Sequence, residues 1–208
     1  MTRSISEVEA EARKAARGAG YPWGLADEAG FAVCWLEARG YGGIHAFAQH
    51  LKAVEGNDVR ACAPRSIDDL SAQGPLLCPI SLGTTLSDLC PITDTTDTTI
   101  AAVSAPLLVA PFLAHVAALR GSVLIKTPEA EMRIGPDGIE VSDQCPTTPT
   151  DITLHKAGAD VPPSTRRTRL DPDADDWRIL KRFAGRTYAP ATEASRLKGA
   201  GAGLNDND

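Results

Sequence analysis

Residues 131–142 have the sequence EMRIGPDGIEVS, which decides between an all-helical chain and one that contains a sheet. Apolar and polar side chains alternate over 131–134 and again over 139–142, as in strands with one buried face. The four residues between them, GPDG, are typical of a turn. This stretch therefore predicts a β-hairpin. Apolar or β-branched segments at 76–80, 98–103, 107–109, 122–127 and 152–155 predict further strands.

Helical patterns stand on both sides of these strands. Ser4 or Ser6, each followed three residues later by Glu7 or Glu9, predicts a capped helix that ends near Arg17. Apolar residues at helical spacing predict further helices at 23–40, 44–54, 112–119, 177–183 and 191–197. The predicted fold class is α+β: a helical N-terminal segment, a central and mostly antiparallel sheet with a hairpin near 131–142, and C-terminal helices.

The length of 208 residues suits a single domain, 1–208, with four parts. Residues 1–55 form a helical N-terminal part and residues 56–157 a β-rich middle. Residues 158–170, rich in Pro, Thr and Arg, are expected to be a linker. Residues 171–208 form a helical C-terminal part with a glycine-rich tail.

Net charge argues against nucleic acid as a partner, and the pattern of apolar residues argues against a membrane. The chain has 21 basic and 27 acidic residues, so its formal net charge of −6 gives no dense positive field for nucleic acid. The longest apolar run, 101–119, is interrupted by two prolines and is too broken to cross a membrane. No apolar segment typical of a signal peptide follows the first residues, which predicts a cytoplasmic protein with reduced thiols.

The segment RGAGYPWGLADE, residues 17–28, contains the first candidate binding residues. Glycines allow backbone N–H groups to approach an anion, arginine can clamp a carboxylate or phosphate, and aromatic rings can form a pocket wall. A carboxylate in such a place could act as a base. The alternative interpretation is a structural elbow between two helices. The candidates are Arg17, Gly18, Gly20, Tyr21, Trp23, Asp27 and Glu28.

The C-terminal tail offers a second set of candidates. Its alternating glycines permit tight backbone curvature, and acidic and basic side chains stand beside them. The alternative is a flexible polar terminus. The candidates are Glu193, Arg196, Gly199, Gly201, Gly203 and Asp206.

Other patterns of known chemistry are missing. The glycines of 17–20 lack the Gly-Lys-Thr ending of a P-loop, and no pair of cysteines or histidines has the spacing of a zinc site. Cys78 or Cys90 would need a base such as His115 to act as a nucleophile. The sequence therefore indicates no metal and leaves any cofactor unknown.

The segments KAARGAGYPWGLADEAG (14–30) and GAGAGLNDND (199–208) resemble the opening and the ending of an uncharacterised bacterial family, a domain of unknown function. The resemblance implies that both ends are defining features of the chain. It implies no catalytic role for any residue, because no activity is established for that family.

Two functions remain open. The first is a small accessory or ligand-binding protein of bacterial metabolism, with a partner protein or a small anionic metabolite as its ligand. The alternative is a small-molecule enzyme that acts on an anionic metabolite, with a site built from the N-terminal and C-terminal Gly/Ala-rich motifs. The second hypothesis requires the two ends to meet at one cleft.

Overall fold

The structure, a computed structural model, describes residues 2–90, 97–144 and 146–188. Its α-helices are α1 (Ile5–Gly18), α2 (Trp23–Ala38), α3 (Gly43–Ala53), α4 (Pro79–Leu89), α5 (Ala110–Arg120) and α6 (Ala174–Ala184). Its strands are β1 (Arg3–Ser4), β2 (Thr98–Val103), β3 (Val123–Lys126), β4 (Glu131–Ile134), β5 (Ile139–Val141), β6 (Thr150–Lys156) and β7 (Arg169–Leu170). The fold class is α+β, as the sequence predicts.

Five of the strands form an antiparallel sheet in the order β2-β6-β3-β4-β5. The predicted hairpin is present as β4 and β5, with Met132 opposite Val141 and Ile134 opposite Ile139. Side chains alternate between buried and exposed along these strands, so only one face of the sheet meets the core. Helix α5 lies against β3 and β4, and α2 and α4 pack against α5.

The N-terminal helices are encoded locally. Ser4 and Glu7 form a complete capping box at the start of α1, which satisfies backbone N–H groups that a helix end leaves free. Helix α1 packs against α2 and α6, and its buried face consists of Val8 and three alanines, which allow close approach. The two-stranded pairing of β1 with β7 joins this end of the chain to the segment before α6.

The turn of the hairpin is bound to the end of α2. The guanidinium of Arg39 stacks 3.7 Å from the ring centroid of Trp35 and donates to the carbonyl of Asp137 at 3.3 Å. Tyr41 donates its hydroxyl to the carbonyl of Ile139 at 2.8 Å. The backbone N–H of Arg167 bonds to the carbonyl of Ala38 at 2.6 Å, so the segment 158–170 also packs against the helices.

Two local predictions are wrong. Residues 76–80 form no strand: Leu77 makes a single bridge to Val103, and Pro79 opens α4. Proline suits the first turn of a helix because its missing N–H would have no partner there. Residues 107–109 lie in a short 3₁₀ helix, Pro106–Val109, that leads into α5. The helix predicted at 191–197 lies outside the described residues.

Candidate functional site

A pocket of about 480 Å³ opens at the elbow between α1 and α2. We call it the elbow pocket. Three parts of the chain form it: the elbow itself, the loop that follows α3, and the first turn of α4. Its lining residues are Arg17, Gly20, Tyr21, Pro22, Trp23, Leu25, Val59, Arg60, Ala63 and Ser81.

Backbone geometry fixes the shape of the elbow. Gly20 has a φ of 102°, in the region that disfavours residues with a side chain, and its N–H bonds to the carbonyl of Arg17 at 3.0 Å. The N–H of Tyr21 bonds to the carbonyl of Ala16 at 3.1 Å and completes the end of α1. Gly18 has a different role, because a β-carbon there would lie 1.8 Å from the carbonyl oxygen of Phe183. Gly18 therefore permits the close contact between α1 and α6.

A cation and an aromatic ring form one edge of the pocket. The guanidinium of Arg17 lies 4.4 Å from the ring centroid of Trp23 and also donates to the carbonyl of Tyr21. Trp23 is 67% exposed, which is unusual for so large an apolar side chain. Such a ring offers a flat surface on which a planar ligand could stack.

The inner wall contains a polar atom without a partner. Cys78 is the N-cap of α4, Pro79 follows it, and Ser81 occupies the third helical position. Ser81 is 6% exposed, and its Oγ has no hydrogen-bond partner among the described residues. A buried hydroxyl without a partner is costly, so Ser81 keeps an unused hydrogen-bonding group beside the pocket.

A chain of buried polar groups lies behind the wall. The hydroxyl of Tyr21 is 2.6 Å from Nε2 of His50 and 3.1 Å from Sγ of Cys78. Nδ1 of His50 is 2.7 Å from Oγ of Ser104. All four residues are fully buried. The backbone of Leu77 holds Ser104 close to Cys78. The carbonyl of Leu77 accepts from the N–H of Ser104, and Cys78 is the next residue along the chain.

Burial keeps His50 and Tyr21 uncharged. It lowers the pKa of His50 from 6.5 to about 3, because an imidazolium would be desolvated there. Burial, and then the neighbouring Cys78, raise the pKa of Tyr21 well above 10. A neutral imidazole donates from one nitrogen and accepts at the other, so Tyr21 and Ser104 satisfy both. Sγ of Cys78 lies 3.9 Å from Nε2 of His50.

The structure places the N-terminal candidates in two groups. Arg17, Gly20, Tyr21 and Trp23 line the elbow pocket, and Gly18 lies on the opposite side of the elbow. Asp27 and Glu28 lie further along α2, outside the lining of the pocket. Asp27 pairs with Arg13 at 3.4 Å. Burial, followed by Asp88, raises the pKa of Glu28. The tail candidates Glu193, Arg196, Gly199, Gly201, Gly203 and Asp206 lie outside the described residues.

Sequence reasoning did not place five residues in this region: His50, Arg60, Cys78, Ser81 and Ser104. It considered Cys78 only as a nucleophile that would need a base such as His115. The imidazole beside Cys78 is that of His50, whereas His115 is exposed on α5. One signal was available, because Cys78-Pro79 is a possible N-cap followed by a proline at the first helical position. No local sequence pattern indicates that His50 contacts Ser104, because the two residues are 54 positions apart.

The described part of the chain contains neither a candidate metal cluster nor a candidate membrane-spanning helix. No group of three or more His, Cys, Asp or Glu side chains there could hold a metal ion. No helix within residues 2–90, 97–144 and 146–188 is long and apolar enough to cross a membrane.

Part of the chain is similar to a known protein family. No curated protein and no solved structure matches the chain. A family model described as "Protein of unknown function (DUF3726)" matches residues 3–102, a range that contains the elbow, His50, Cys78 and Ser81. The segment 14–30, on which part of the resemblance was based, lies within this range, and the segment 199–208 lies beyond it. Over residues 3–102 the chain is therefore similar to a family of unknown function.

Proposed function

We propose that the protein binds a small metabolite with a carboxylate or phosphate group in the elbow pocket. The observation that carries the proposal is the buried hydroxyl of Ser81, a residue of the pocket lining, because this hydroxyl has no hydrogen-bond partner among the described residues. An anionic oxygen would accept a hydrogen bond from this hydroxyl and remove the cost of leaving it unsatisfied.

The electrostatics of the pocket support an anion. The N-terminus of α4 carries a partial positive charge, and Ser81 lies in its first turn. Arg17 and Arg60 line the pocket, and the side chain of Arg60 has no ion-pair partner among the described residues. These positive groups stand out in a chain with a net charge of −6. Negative charge is therefore attracted locally, although the whole protein repels it.

The remaining part of the lining is mainly apolar, so we expect the other half of the ligand to be apolar as well. Pro22, Leu25 and Val59 line the pocket beside the exposed ring of Trp23. Pockets of this size bind small molecules through apolar contact, and a few polar groups fix the orientation. A ring with one anionic substituent fits both properties, with the anion toward α4 and the ring on Trp23.

Thermal unfolding with three matched probes tests the proposal: benzoate, phenyl phosphate and the uncharged benzyl alcohol. Binding at about a hundred times the dissociation constant would add about 2.7 kcal/mol to the free energy of unfolding. We expect stabilisation by one or both anions and none by benzyl alcohol.

The Ser81→Ala variant gives the matched comparison. It should lose the stabilisation by anions while the ligand-free protein is as stable as before or more so, because a buried unsatisfied hydroxyl is removed. Ser87→Ala, on the same helix but outside the pocket lining, should behave as the unchanged protein. Equal stabilisation by the anions and by benzyl alcohol, or full retention in Ser81→Ala, would contradict the proposal.

A further inference from the structure

A second cavity of about 400 Å³ lies on the other side of the elbow. We call it the basic groove. It lies between the C-terminal half of α1 and the short 3₁₀ helix that follows α6, Gly185–Thr187. It shares Arg17, Gly20 and Trp23 with the elbow pocket, so the two cavities adjoin along one ridge. Its lining residues are Arg13, Lys14, Arg17, Gly18, Gly20, Trp23, Arg186 and Thr187.

The basic groove contains four cationic side chains and no acidic one in its lining. Two of them have acidic partners outside it: Arg13 pairs with Asp27 at 3.4 Å, and Arg186 pairs with Glu55. Lys14 is exposed and has no ion-pair partner among the described residues. The groove therefore keeps an excess of positive charge that could attract an anion.

The ridge between the two cavities is the stacked pair of Arg17 and Trp23. A ligand that crosses it passes over the exposed indole ring, on which a planar group can stack. The anion site near Ser81 lies on one side, and the cations of the basic groove lie on the other. The order along this path is thus an anion site, an aromatic surface and a second anion site.

We infer that the ligand of the elbow pocket carries a planar ring with an anionic group at each end. The first anion binds at the start of α4, the ring lies on Trp23, and the second anion binds Lys14 in the basic groove. This inference rests on the proposed function and specifies the class of its ligand.

Two compounds that differ only in the second anion test the inference: biphenyl-4-carboxylate and biphenyl-4,4′-dicarboxylate. Isothermal titration calorimetry gives the dissociation constant of each with the full chain. We expect the dicarboxylate to bind at least about tenfold more tightly, the effect of roughly one charge-assisted hydrogen bond. Lys14→Ala should remove most of that gain and leave the affinity for the monocarboxylate unchanged.

Lys126→Ala, on strand β3 of the sheet, is the control for the loss of one lysine and should keep the full gain. Equal affinities for the two compounds, or a full gain in Lys14→Ala, would overturn the inference. Absence of binding by both compounds would also overturn it. The proposed function stands in each case if benzoate or phenyl phosphate still stabilises the protein, and falls with the inference if neither does.

Discussion

The buried histidine predicts a specific dependence of stability on pH. His50 is fully buried, and burial lowers its pKa from 6.5 to about 3 in the folded protein. The unfolded chain therefore binds a proton below about pH 6.5 that the folded chain does not bind. Each such proton reduces the free energy of unfolding as the pH falls, since stability rises with pH wherever the unfolded state holds more protons.

The size of this effect follows from the two pKa values. Between about pH 8 and about pH 5, the unfolded His50 becomes protonated and the folded one stays neutral, which costs about 2 kcal/mol. The loss begins near the unfolded pKa of 6.5 and continues until the folded pKa near 3 is reached. Hydrogen bonds with Tyr21 and Ser104 hold the neutral form in place.

Urea unfolding followed by circular dichroism at the two pH values measures the loss. The unchanged protein should lose about 2 kcal/mol more than His50→Gln, because the variant lacks the titrating group and all other groups contribute equally. His115→Gln, at an exposed position on α5, should match the unchanged protein. An identical pH dependence for His50→Gln and the unchanged protein would refute the reasoning, because His50 would then titrate alike in both states.

Two further predictions concern the same buried chain. Tyr21→Phe should lower the free energy of unfolding by roughly 2–3 kcal/mol in urea unfolding, because it leaves Nε2 of His50 without its hydroxyl partner in a buried place. Tyr188→Phe, at a 64% exposed position, should change it little, and equal effects would contradict the account. Cys78 should resist iodoacetamide in the folded protein and react in urea, as mass spectrometry of its peptide would show. Rapid labelling of folded Cys78 would instead favour an enzyme with a cysteine nucleophile.

The parts of the fold that the sequence predicts well are those in which neighbouring residues carry the signal. The capping box needs only Ser4 and Glu7, and the hairpin needs only the alternation on each side of its turn. The elbow is similar, because Arg17, Gly20, Tyr21 and Trp23 stand within seven positions of each other. Local geometry brings them together whatever the rest of the chain does.

The parts that were missed depend on distant contacts or on ambiguous patterns. An apolar run of five residues such as 76–80 suits a buried strand or the start of a buried helix equally, and only Pro79 favours the helix. His50 and Ser104 are 54 positions apart, and His50 and Cys78 are 28 apart. Their meeting depends on how α3, α4 and the end of β2 pack, which no local pattern encodes.

The central claim is that Ser81 and the N-terminus of α4 bind an anion in the elbow pocket. The most direct test is a titration of the ¹⁵N-labelled protein with phenyl phosphate, followed by NMR. The account predicts saturable shifts at the amides of Gly20 and Ser81 and at the indole of Trp23, and their loss in Ser81→Ala. Shifts that are confined to other surfaces, or that persist unchanged in Ser81→Ala, would contradict it.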